Sequence, residues 1–195
     1  MKKTIVILSA VILCSAVNAQ WKAQTAETYE KTYRMALVTS QTGDETLRIM
    51  RDITSGTSQK GINPYDQISG QILLNKNIGN DYKVHTIVLI FDESTKMYIH
   101  QPADLKQGWD ANAGRYIIES DWKIWRTGDT RNKGAGRPSG DTGADLKKTV
   151  LDLMKSGKKV NCQIILIHKM DDTQSIINTS FTLQNSTKSI NYLFN

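Results

Sequence analysis

The sequence predicts a mainly β fold: a single-domain antiparallel β-sandwich or open barrel, with one helix near 144–156 and a short C-terminal helix. Two observations carry that expectation. Apolar residues recur with period two in run after run between residues 33 and 183, separated by polar turn clusters. Only one segment beyond the N-terminus, around residues 146–154, carries a clear helical repeat. Alternating βα units are absent, which argues against a doubly wound parallel sheet.

The elements follow in chain order. Met1-Lys2-Lys3, the apolar run Ile5–Val17 and the small residues of Val17-Asn18-Ala19 make the three-part pattern of a secretory signal peptide. Cleavage is expected after Ala19, with Cys14 discarded in the leader, leaving 20–195 as one secreted β-rich domain. The apolar run is shorter than the roughly 20 residues a membrane span needs. Residues 20–32 are polar and suit an edge strand or a short helix. Tyr33-Met35-Leu37 and Leu47-Ile49-Arg51-Ile53 read as two strands joined at Gln41-Thr42-Gly43-Asp44. Ile68-Gly70-Ile72-Leu74 gives a third strand. Val84–Phe91 gives a fourth, whose unbroken apolar end suits a central position covered on both faces. Lys96–His100 returns as its hairpin partner, Gln101–Gly114 reads as irregular, and Tyr116–Arg126 reads as one long aromatic strand. Leu146, Val150, Leu153 and Met154 share one helical face, with Asp141 or Thr142 to cap the start and Gly157 to stop it. Val160–His168 and Ser175–Leu183 form a last strand pair. Asn185 or Ser186 can cap a final short helix that lays Ile190, Leu193 and Phe194 on the sheet.

Composition bounds the function. The formal net charge of +6 falls by two when the leader takes Lys2 and Lys3 with it. That is too weakly basic for a nucleic-acid partner, and none is expected. Nor is an integral membrane segment expected after cleavage. Only Cys162 outlives the leader, so no intrachain disulfide can form, and its setting in VNCQIILI suits a small buried hydrophobe. A basic start and no disulfides favour a bacterial periplasm or exterior.

The segment 127–146, TGDTRNKGAGRPSGDTGADL, sits between a strand-like and a helix-like run, as phosphate loops do. It fails GxxxxGK[ST]: Gly136 and Gly140 are one residue too close, and Asp141 stands where the lysine belongs. What remains is a basic, glycine-rich excursion of about 17 residues carrying Arg131, Lys133 and Arg137, which reads as a plain mobile surface loop or, as the alternative, one that contacts a ligand or partner. Glu119 and Asp121, two apart on one strand, would share a face with Lys123 and Trp125. Paired carboxylates beside an aromatic ring are the pattern of glycoside hydrolysis, although a solvated outer face accounts for them as well. Trp109, in QGWDANAG, reads as a loop tryptophan, folded back over the sheet edge or, as the alternative, exposed and able to stack on a sugar ring or anchor a partner. His85, His100 and His168 share no ligand spacing; no metal site and no cofactor are expected. The sequence therefore points to a secreted or periplasmic, non-catalytic β-domain that binds a protein, a glycan or another envelope component. An extracytoplasmic glycan or peptidoglycan hydrolase and a small-ligand carrier are the alternatives.

Overall fold

The computed structural model describes residues 20–54, 62–93, 95–99, 105–120, 124–126 and 143–195. Within them two antiparallel sheets form. The larger has the order β1 (Lys22–Glu27), β2 (Thr32–Thr39), β3 (Glu45–Asp52), β4 (Ile68–Leu74), β8 (Arg115–Ser120) and β7 (Leu105–Asp110). The smaller runs β11 (Gln174–Thr182), β10 (Lys159–His168), β5 (Tyr82–Phe91), β6 (Thr95–Ile99) and β9 (Ile124–Arg126). The mainly β architecture with a helix near 144–156 and a short C-terminal helix is therefore as expected.

Alternation builds the core. Ala36, Val38, Leu47, Ile49, Ile72 and Ile118 face inward from the larger sheet. They meet Leu89, Phe91, Val160, Cys162, Ile164 and Phe181 from the smaller one in a single cluster. Cys162 is 0 % exposed and fills the hydrophobic role its context predicts. β5 lies at the centre of its sheet, and Val88, on the face away from this cluster, is buried too. Between Ile165 and Leu166 the β5–β10 register slips, so that β5 carries one extra residue, His85, as a bulge.

Helix α1 (Gly143–Ser156) drives Val150, Leu151 and Met154 into the same core. Lys147, itself buried, donates from Nζ to the Ile68 carbonyl at 2.9 Å and so ties the helix to the start of β4. Helix α2 (Ser186–Asn191) and the 3-10 turn Tyr192–Phe194 bring in Ile190 and Leu193, both 0 % exposed. The capping differs from expectation. Asn185 sits at the cap position in the left-handed region, φ 64°, and makes no side-chain cap bond. The Ser186 hydroxyl instead donates to the Met154 carbonyl at 2.6 Å, joining the two helices.

Three expectations are corrected or settled. The polar segment after residue 20 is an edge strand, β1. Gln101–Gly114 is not irregular throughout: Leu105–Asp110 is β7, the opposite edge of that sheet. Tyr116–Arg126 is not one strand. It divides into β8 in the larger sheet and β9 in the smaller. Apolar alternation continues across the break, and alternation reports a face without reporting which sheet owns it.

Candidate functional site

The sequence-predicted residues separate. Trp109 lies on β7 directly opposite Tyr116 of β8. It is therefore a strand residue rather than a loop one, and it is 43 % exposed. Glu119 lies on the face of the larger sheet turned away from the core, in register with Gln71 of β4 and Lys106 of β7. Arg48 Nη1 donates to Gln71 Oε1 at 2.9 Å, and Gln71 Nε2 donates to Glu119 Oε2 at 2.7 Å. That row is a polar ladder across three strands. Burial pushes the Arg48 guanidinium below its ordinary range, and the neighbouring Arg115 adds to the shift. Trp125 belongs to β9, where it pairs with Tyr98 in the other sheet, so Glu119 and Trp125 do not share a strand face. Asp121, Lys123, Arg131, Lys133 and Arg137 lie outside the described residues, as do residues 1–19, His100 and the capping pair Asp141 and Thr142.

Trp109 overlooks a cleft of about 400 Å³ at one corner of the sandwich. Three regions build it. β7 and β8 supply Gln107, Gly108, Trp109 and Tyr116; the connection after β4 supplies Asn77, Gly79 and Asn80; Tyr82 and Lys83 of β5 and Lys169 just past β10 complete it. Gln107 holds the corner together. Its Oε1 accepts the Val84 N–H at 2.8 Å and the Tyr116 hydroxyl at 3.2 Å, while its Nε2 donates to the Val84 carbonyl at 3.3 Å. An amide side chain on the edge of one sheet thus pairs with backbone of the other, as a further strand would. Burial raises the Tyr116 hydroxyl above its ordinary pKa, which keeps it a donor to Gln107. Gly79 runs so close to the Tyr116 ring that a Cβ there would stand 2.7 Å from Cε2. Lys169 Nζ donates to the Gly79 carbonyl and fixes the far lip.

A second cleft of about 480 Å³ lies on the other side of the same connection and shares Asn77 and Tyr82 with the first. Leu74, Ile78, Leu166 and Ile177 make it more apolar, and Asp44, Glu45 and Asp81 border it. Glu45 is oriented there by hydroxyl donors from Thr179 at 2.8 Å and Thr42 at 3.2 Å. Nearby, the Asp171 carboxylate takes the Thr173 hydroxyl and amide and faces His168 Nδ1 at 2.8 Å, which together hold it below the usual carboxylate range.

Among the described residues no three metal-ligating side chains come together, and no helix is long and apolar enough to cross a membrane. Burial pushes the Cys162 thiol well up, with the Glu45 carboxylate adding to it, which keeps the sulfur protonated and unreactive. Compared with family models, curated proteins and solved structures, the chain matches none.

Trp109 was visible in the sequence as a candidate, because a tryptophan flanked by glycine and polar residues has no apolar run to bury it. Its companions were not. Tyr82, Lys83 and Lys169 come from segments tens of residues away, and nothing in their local sequence marks them.

Proposed function

We propose that this chain is a secreted, non-catalytic β-domain that binds a glycan of the cell envelope through the Trp109 cleft. One observation carries the reading: a half-exposed tryptophan stands over a polar cleft braced by Tyr116 and Gln107. Flat aromatic faces stack on the apolar face of a sugar ring while amides and ammonium groups meet its hydroxyls. Secretion rests on the leader-like pattern of residues 1–19. The test is co-sedimentation of residues 20–195 with isolated envelopes and with insoluble polysaccharide. Trp109→Ala is expected to lower retention about tenfold, the scale of one stacking contact. Equal retention of wild type and variant sinks the proposal.

A small-ligand carrier is the second reading, favoured by the more apolar 480 Å³ cleft beside Ile78. Native mass spectrometry of gently purified protein would show the adduct, and Ile177→Trp, at a partly buried position on the cleft wall, should reduce it.

A further inference from the structure

The lining of the Trp109 cleft carries two lysines and, among the described residues, no carboxylate. Gln107 and the Tyr116 hydroxyl are spent on each other and on Val84. Asn77 Oδ1 accepts the Gly79 N–H at 3.0 Å, which commits its oxygen and leaves its NH₂ group able to donate. Lys83 is exposed. Lys169 uses one of its three ammonium hydrogens on the Gly79 carbonyl and keeps two. The Trp109 indole adds another N–H. No carboxylate is among the described residues that line this cleft, whereas Asp44, Glu45 and Asp81 all border its neighbour. The basic lining of this cleft thus contrasts with the acidic border of its neighbour.

Two ammonium groups, further N–H donors and no carboxylate are the complement of a ligand that carries negative charge. Resting on the glycan reading above, we infer that the cleft selects an acidic sugar: a pyranose ring stacked on Trp109, its anionic substituent held between Lys83 and Lys169. Lys169 is the better anchored of the two cations, since its bond to Gly79 restrains the side chain before any ligand arrives. Less conformational entropy is then lost on binding. A neutral sugar keeps the stacking contact and leaves both ammonium groups without a counter-charge.

The probes are two tetrasaccharides that differ only at C6, a β-1,4-linked glucuronate tetramer and the corresponding glucose tetramer. Titration calorimetry follows their binding to residues 20–195 at low and high salt. The expected result is roughly tenfold tighter binding of the glucuronate, the scale of two exposed ion pairs, with the gap closing as salt screens them. Lys83→Gln, at an exposed position that leaves the fold intact, should remove part of the preference, and Lys83→Gln with Lys169→Gln the rest. Both lysine variants should cost the glucuronate tetramer more than the glucose tetramer, whereas Trp109→Ala should weaken both tetramers alike. Equal affinity for the two sugars in the wild type, or a preference that survives the double variant, overturns the inference and leaves the glycan reading standing. If neither sugar binds, the glycan reading itself falls.

Discussion

At the scale of single residues, Asp52 shows how a pKa becomes a stability. Burial alone would push its carboxyl up. The Thr54 hydroxyl and amide on Oδ1, and Lys31 at 3.1 Å from Oδ2, outweigh burial and leave the pKa below the ordinary value. A depressed folded-state pKa stabilises the protein above the unfolded carboxyl value, near 3.9, and that contribution is lost as pH falls through the folded value. Asp52→Asn is therefore expected to lower the urea midpoint at pH 7 and to converge with the wild type as pH falls through the depressed folded-state value. A difference that stayed constant with pH would show that the carboxylate charge is not what matters. Lys31, raised mainly by its hydrogen bond to Asp52, extends the same contribution to alkaline pH, where it ends only as the lysine titrates.

At the scale of elements, the corner made by β7 is the informative one. Leu105–Asp110 reads LKQGWD, and it escaped the sequence because an edge strand buries only part of one face. Only Leu105 is buried, and Gln107, the residue that fixes the strand, is polar. Pattern reading looks for apolar residues at alternate positions, and here an amide holds the place one would take. Gln107→Ala strips the partners from the Val84 N–H and carbonyl together, at a cost of about 1–3 kcal/mol for groups left unpaired in a part-buried site. Denaturant melts measure that cost. Fluorescence at Trp109 is expected to shift as well, since the same residue braces Tyr116 opposite it. The central strands were plain in the sequence for the converse reason: Val84–Phe91 and Val160–Leu166 are buried often enough for their side chains to say so.

At the scale of the whole molecule, the two ends of the larger sheet have separate duties. Beside the start of β4, at Ile68, sit Lys147 of α1 and the C-terminal segment, whose Leu193 carbonyl accepts a hydrogen bond from Arg51 Nη1 at 3.1 Å. Past the other end of β4, beyond Leu74, lie both clefts. Leu193→Ala should cost about 2–5 kcal/mol for a cavity in a fully buried position. Affinity at the Trp109 cleft should be unchanged below the melting transition. Calorimetric melting and ligand titration on the same sample check both halves. This division was not legible in the sequence, where Ile68 and Leu74 are neighbours in one short run; it comes from what the rest of the chain brings to each end. The same holds for the break between β8 and β9, which no local pattern marks.

The bulge at His85 has a consequence for how the gene can change length. Losing one residue from a buried strand normally turns every side chain beyond it to the wrong face. In β5, Val84 already faces Leu166 and Thr86 faces Ile165, with His85 between them and opposite nothing. Loss of that single codon leaves each remaining side chain of β5 on the face it now occupies, whereas loss of Val88's would send half the strand outward. Position 85 is thus where the central strand of the smaller sheet can be shortened by one residue with its pattern intact.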